Sequence, residues 1–256
     1  MLSSLVSGAL EDAAERRRAL SLPEVERAAL AQTAALDALD FLKREDRVKI
    51  IAEVKRSSPS RGALAEIADP AALAAKYELG GASTISVLTE GRKFGGSLAD
   101  LEAVKAAVSL PVLRKDFIAE PYQVFEARAA GADLVLLIAA ALNQQQLLSL
   151  FDLVTDLGMT ALVEAHSADE VSRAVDTGAG LIGINARDLS TFELDQNLFG
   201  RLSSAIPEGI LKVAESAVKT PADVAHYRAD GADVVLIGEA LVTGDPVATL
   251  TEFLGA

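Results

Sequence analysis

Five stretches of this sequence end an apolar, alternating row on a polar or charged residue. In Val48-Lys49-Ile50-Ile51-Ala52-Glu53-Val54-Lys55, an extended backbone puts Ile51, Glu53 and Lys55 on one face and Ile50, Ala52 and Val54 on the other. In Pro111–Phe117, Lys115 and Phe117 share the face of Leu113. Glu164 follows Leu162 in phase, and Asn185 ends Leu181–Asn185, with Arg187 next on that face if the chain stays extended. Glu215 is in phase with Leu211 and Val213. One such carboxylate could cap a helix, Glu53 and Lys55 could be a structural ion pair, and Lys115 could be a surface lysine. Capping does not explain five rows. Two lysines and three glutamates meeting at strand ends form an inventory for proton transfer. A lysine in a partly apolar pocket is expected to have a lowered pKa, suited to acid or Schiff-base chemistry. His166 and His226 lack metal-ligand spacing and read as ordinary polar residues, His166 standing close to Glu164.

These rows need a scaffold that brings strand ends together. Gly81-Ala82-Ser83, Gly131-Ala132-Asp133, Gly178-Ala179-Gly180 and Gly231-Ala232-Asp233 each close an Ala-rich segment and precede a β-branched or Leu-rich run. Glycine just past a helix takes up the left-handed turn, and a small neighbour lets a strand start at once. The copies lie about 50 residues apart, roughly two β-loop-α units. Strands are predicted to begin near Val48, Ala82, Pro111, Asp133, Met159, Gly180, Ile210 and Asp233. Eight strands alternating with helices predict an α/β fold, a (β/α)8 barrel of the TIM type. An open doubly wound sheet would alternate similarly, but no Gly-x-Gly-x-x-Gly fingerprint follows the first strand, and no P-loop is present. The expected organisation is one barrel domain over 1–256, with 1–47 a helical N-terminal extension broken near Pro23. That extension could cap the barrel's bottom or cover its mouth.

The chain has 256 residues, half of them hydrophobic, a formal charge of −13 and no cysteine. The absence of cysteine excludes disulfides, thiolate nucleophiles and Cys-based zinc sites. The acidic charge argues against nucleic acid as a partner. The apolar run Leu134–Leu142 is too short to cross a bilayer, which takes about 20 residues, and reads as a buried strand with its loop. Met1-Leu2-Ser3-Ser4 lacks a basic region and does not fit a secretory signal. A cytoplasmic protein, a monomer or weak oligomer, is expected. In barrels phosphate commonly binds after strands seven and eight, where Gly238-Glu239-Ala240-Leu241 reads as a short helix start; Ser58 in the first loop could add a hydroxyl.

The segments Ile51–Ser60, Ile85–Glu90, Leu113–Phe117 and Asn185–Leu189 resemble the indole-3-glycerol phosphate synthase family, in matching order from the first strand to the last helix. The resemblance implies a lyase of tryptophan biosynthesis acting on a small phosphorylated substrate, with no metal or organic cofactor. It implies that Lys115 is the general acid, with Glu164 stabilising positive charge or accepting a proton. Lys55 would pair with the substrate carboxylate, and which lysine serves dehydration stays open. Glu53, Asn185, Glu215 and Ser216 match the remaining polar shell, and Phe94 and Phe117 match residues flanking an aromatic ring. Ser58, Gly238 and Glu239 match the phosphate side, and Arg187 and Leu189 belong to the substrate-binding set.

The sequence departs from the family pattern at Ala217 (glycine expected), Ala186 (asparagine expected) and Lys93 (an aromatic expected). A Cβ at Ala217 is expected to narrow the approach of phosphate to that loop. Lys55, Arg56, Arg61, Lys115 and Arg187 are expected to give the acidic protein a positive mouth. The rival readings are another phosphate-binding barrel, such as a phosphoribosylanthranilate isomerase, whose cysteine base this chain lacks, and a non-catalytic phosphosugar-binding barrel.

Overall fold

The computed structural model of the chain describes residues 1–256 apart from 59, 60, 190 and 192; the Pro59-Ser60 end of the first motif therefore lies outside the described residues. Eight parallel strands close into a barrel: β1 (Lys49–Val54), β2 (Thr84–Leu88), β3 (Val112–Lys115), β4 (Leu134–Ile138), β5 (Thr160–Ala165), β6 (Leu181–Asn185), β7 (Leu211–Glu215) and β8 (Val234–Ile237). Each pairs with its neighbours in sequence, and β8 closes on β1 through Lys49 opposite Val234. The predicted starts fall one or two residues early, because the Gly-Ala junction itself delivers the chain to the sheet. All four junction glycines have positive φ, between 80° and 95°.

The two Gly-Ala-Asp copies have a further use. Asp133 accepts the Val112 N–H at 2.8 Å, and Asp233 accepts the Lys212 N–H at 2.9 Å. Each carboxylate thus satisfies a donor at the start of the preceding strand, Val112 being its first residue and Lys212 its second; the Val112 group is buried and would otherwise cost about 1–3 kcal/mol.

Alternation sorts the strand residues as their phase dictates. Ile51, Leu113, Leu134, Leu136, Leu162, Val213 and Leu236 fill the barrel interior. Ile50, Ala52, Val54, Val135 and Ala214 pack outward against the helices, among them α4 (Pro70–Leu79), α5 (Leu98–Ala107), α7 (Gln144–Asp156) and α12 (Pro246–Leu254).

The N-terminal extension does both jobs that its sequence left open. In α1 (Leu2–Ala19), Leu5 and Ala9 join the interior cluster near Phe117 and Ile138 at the strands' C-terminal ends. Arg92, in the loop after β2, reaches Asp12 at 2.6 Å and Glu11 at 2.7 Å, tying α1 to the mouth. At the opposite end, α3 (Ala38–Leu42) buries Ala38 and Leu42 against the interior, and Arg44 pairs with Asp233 at 2.6 Å. The helical break lies near Pro23, as expected, although the proline is not itself the breaking residue. The break falls at Leu20-Ser21, and Pro23 lies in the first turn of α2 (Leu22–Leu30), where its missing N–H has no helical partner to lose. Among the described residues, no helix is long and apolar enough to cross a membrane.

Candidate active site

The C-terminal ends of the strands open into one cavity of about 200 Å³, whose lining includes all fourteen residues that the sequence assigned to catalysis or substrate binding. At its floor Lys115 Nζ lies 3.1 Å from Glu164 Oε2 and 3.2 Å from Glu215 Oε2. Both carboxylates are 1% exposed. Beside them Lys55 pairs with Glu53 at 2.7 Å, and the Ser86 hydroxyl faces Glu53 at 3.5 Å. Phase explains the convergence, since Glu53, Lys115, Glu164 and Glu215 occupy the last inward positions of their strands and Lys55 follows β1 in the same phase.

Two carboxylates and one ammonium in a dry pocket cannot all hold their ordinary charges. Burial pushes Glu215 up to about 8, with Glu164 adding to the shift and Lys115 opposing it. Burial also works against ionisation of Glu164, but Lys115 and His166 outweigh it and hold Glu164 below the usual carboxylate range. The expectation of a lowered Lys115 pKa is corrected here. Burial does pull it down, yet Glu164, Glu215 and Glu53 outweigh burial and raise it. The two carboxyls of the cluster are thus pulled in opposite directions, Glu164 towards the carboxylate and Glu215 towards the acid, beside an ammonium.

Two glycines make room for this cluster, and sequence phase gave no sign of either role. A Cβ at Gly183 would stand 2.1 Å from Glu215 Oε1, and one at Gly238 would stand 2.6 Å from Glu53 Oε1 and 3.0 Å from Lys55 Nζ. Gly238 thus clears space for the Glu53–Lys55 pair besides preceding the short helix α11 (Glu239–Val242), which lies where the sequence placed it.

The aromatic wall is held from behind. Phe94 and Phe117 stand 6.1 Å apart between ring centroids, tilted by 41°. The Glu90 carboxylate accepts the N–H groups of Arg92, Lys93 and Phe94 at 2.7–3.0 Å, so one buried anion folds the loop that carries Phe94. Asp116 accepts the Phe117 N–H at 2.8 Å and pairs with Arg114, which is fully buried. Lys93 works here through its backbone, its N–H going to Glu90 and its carbonyl accepting from Ser57. Its side chain does not line the cavity, so the unexpected residue type costs the site nothing.

On the β6–β7 side, the Asn185 amide oxygen accepts from Ser216 Oγ at 2.8 Å and from the Arg187 N–H at 3.0 Å. Ala186 also acts through its backbone, donating to the Glu215 carbonyl. Arg187, Leu189 and Leu194 line the mouth beyond, and Arg187 forms an antiparallel bridge with Leu194. Ser216 and Ala217 have φ of +71° and +60°, a left-handed pair of non-glycine residues. That conformation explains why glycine is expected at 217, and it stores about 1–2 kcal/mol per residue. Ser58 sits on a two-residue ribbon, Ser57–Ser58 with Gly62–Ala63, and Arg61 from its turn pairs with Glu239 at 2.9 Å across the mouth.

The expected positive mouth needs revision. The cavity lining carries five cations (Lys55, Arg61, Lys115, Arg187 and Lys219) against five carboxylates (Glu53, Asp116, Glu164, Glu215 and Glu239). It is close to neutral, which is still well above the −13 of the whole chain. Arg56 does not contribute to it. Its guanidinium turns to Asp100 at 2.5 Å and to the Ile67 carbonyl at 3.2 Å, because a carboxylate and a free carbonyl flank its strand end.

Fold and site together define a (β/α)8-barrel enzyme. The sequence profile of indole-3-glycerol phosphate synthase matches residues 2–254. The chain is 71% identical over 255 residues to the indole-3-glycerol phosphate synthase of Leifsonia xyli subsp. xyli, covering 100% of this chain and 98% of that protein. It is 58% identical to the enzyme of the same name from Beutenbergia cavernae, covering 100% and 95%. Among solved structures, an N-acetylmannosamine-6-phosphate 2-epimerase from Clostridium perfringens superposes with a TM-score of 0.61 at 15% identity, covering 83% of this chain and 94% of that one; this likeness concerns the fold alone. The chain belongs to the indole-3-glycerol phosphate synthase family, carboxy-lyases of tryptophan biosynthesis.

Proposed function

We propose that Lys115 protonates the ribulose carbonyl oxygen of 1-(o-carboxyphenylamino)-1-deoxyribulose 5-phosphate while the aromatic carbon attacks, the first step in closing the pyrrole ring of indole-3-glycerol phosphate. The observation that carries this reading is the Lys115 ammonium held 3.1 and 3.2 Å from two buried carboxylates. An ammonium so paired is fully protonated before the substrate arrives. It loses that proton only to an oxygen turning into an alkoxide, which makes it a donor selective for the transition state.

Attack leaves positive charge on the nitrogen side, and the ionised Glu164 stabilises it. Loss of carbon dioxide restores aromaticity, and loss of water completes the ring. Glu164 accepts a proton on this path. Lys55 pairs with the substrate carboxylate or assists dehydration, and Glu53 keeps it charged and oriented. Glu215 holds Lys115 in line. Asn185, whose oxygen is already taken by Ser216 and Arg187, has its amide nitrogen for the substrate.

Phe94 and Phe117 flank the anilino ring, with Leu189 beside the opening. The phosphate meets Ser58, Arg187, Ser216 and the backbone at Gly238 and Glu239, where a helix start offers N–H donors. Arg61 gives up Glu239 to meet the anion. The whole chain works as one domain, a cytoplasmic monomer or weak oligomer with no nucleic-acid partner and no cofactor. Incubating the purified protein with the carboxyphenylamino substrate and following indole fluorescence tests the reading. Product is expected, and a folded protein that forms none overturns it.

A further inference from the structure

His166 directly follows β5 and touches the acid–base cluster at Glu164, yet no step above uses it. Its imidazole lies between two carboxylates: Nδ1 is 3.2 Å from Glu170 Oε2, and Nε2 is 3.4 Å from Glu164 Oε1. Glu170 is itself fixed. The same Oε2 accepts the His166 backbone N–H at 2.8 Å, and Oε1 accepts the Ser167 hydroxyl at 3.1 Å, at the start of α8 (Ala168–Val175). The two oxygens of Glu164 are thus divided, Oε2 facing Lys115 and Oε1 facing His166. Glu164 Oε1 and His166 Nε2 are both buried, and neither has a hydrogen-bond partner among the described residues, so their 3.4 Å approach is a charge contact rather than a hydrogen bond.

The proton inventory follows from these contacts. Nδ1 faces a carboxylate and must carry a proton. A neutral imidazole would then aim the Nε2 lone pair at an ionised Glu164, burying two acceptors against each other. A proton on Nε2 removes that conflict. We propose that His166, clamped on Glu170, is a positioning residue that braces Glu164 at its second oxygen as an imidazolium and keeps it a carboxylate. The inference rests on the role given to Glu164 above. The groups facing the imidazole agree with it: Glu170 from α8, Glu164 from β5 and Glu215 from β7 all favour the charged ring, and together they outweigh the burial that opposes it.

The chain contains two histidines, so His226→Gln leaves one imidazole for 15N NMR. His166 is expected to carry protons on both nitrogens at pH 7, above the ordinary imidazole value of about 6.5, and Glu170→Gln is expected to lower its titration point. A neutral ring at pH 7 overturns the proposal. In turnover, His166→Gln is expected to lower kcat by about tenfold with KM little changed. Without the imidazolium the Glu164 pKa rises, so the acid limb of kcat moves up by about one pH unit. A folded variant whose acid limb stays in place overturns the proposal, whether or not kcat falls. The NMR measurement needs no substrate, so an inactive wild-type protein would refute the function alone, and a neutral imidazole in an active one would refute the brace alone.

Discussion

Gly183→Ala is a one-carbon change on β6 that should disable the site from behind. The added Cβ would stand 2.1 Å from Glu215 Oε1, 3.2 Å from its Cδ and 3.3 Å from Leu162 Cδ1. Ordinary contact begins near 3.4 Å, so the carboxylate must retreat by about 1.3 Å. The strand cannot move instead, because Gly183 pairs with Val213 on one side and Glu164 on the other. Such overpacking costs about 1–3 kcal/mol of stability. Its larger effect is on Lys115, whose 3.2 Å contact to Glu215 is disturbed. Misplacement by about 1 Å can cost about 10²-fold in turnover, and that loss is expected in kcat followed by indole fluorescence at 25 °C, where the variant stays folded. A double-mutant cycle isolates the cause. If the methyl acts by displacing Glu215, Gly183→Ala should change kcat little in a Glu215→Ala background. An equal loss in both backgrounds, or wild-type turnover in folded Gly183→Ala, refutes the reasoning.

Three further outcomes follow from the same geometry. Asp133→Ala strips a 1%-exposed carboxylate from the Val112 and Leu36 N–H groups and from Lys105; urea unfolding should show a loss of about 3 kcal/mol, with kcat unchanged at 25 °C. Ala217→Gly removes a Cβ from a φ of +60°, so KM should fall and stability should not drop, against the usual cost of about 0.5–1 kcal/mol for glycine. The folded pKa of Glu215, near 8, lies above its ordinary 4.5, so folding takes up a proton there. That contribution is complete below pH 4.5 and is lost as pH rises through 8. Glu215→Gln removes this dependence, so its stability relative to wild type should grow between pH 5 and pH 8 in urea titrations.

What the sequence made legible is what phase and backbone chemistry dictate. The Gly-Ala junctions marked turns because positive φ selects glycine, and inward phase brought Glu53, Lys115, Glu164, Asn185 and Glu215 to one end of the barrel. Other features depend on how elements meet in space. Gly183 and Gly238 matter for the side chains they do not carry, and a missing side chain leaves no local signal. The sign of the Lys115 shift depended on counting carboxylates from three strands, whereas sequence reasoning weighed only its apolar wall. Arg56 was assigned to the mouth from its position, and Asp100, 44 residues away, claims it. The division of the N-terminal helices between mouth and floor rests on Arg92 and Asp233, partners that no periodicity could point to.

The central claim is that the Lys115 ammonium, held by buried carboxylates, donates the proton that drives ring closure. The most direct measurement is single-turnover formation of indole-3-glycerol phosphate by folded Lys115→Ala at saturating substrate. The rate is expected to fall by at least about 10²-fold with substrate binding retained through Lys55 and the phosphate loops; a rate within a few-fold of wild type would contradict the claim.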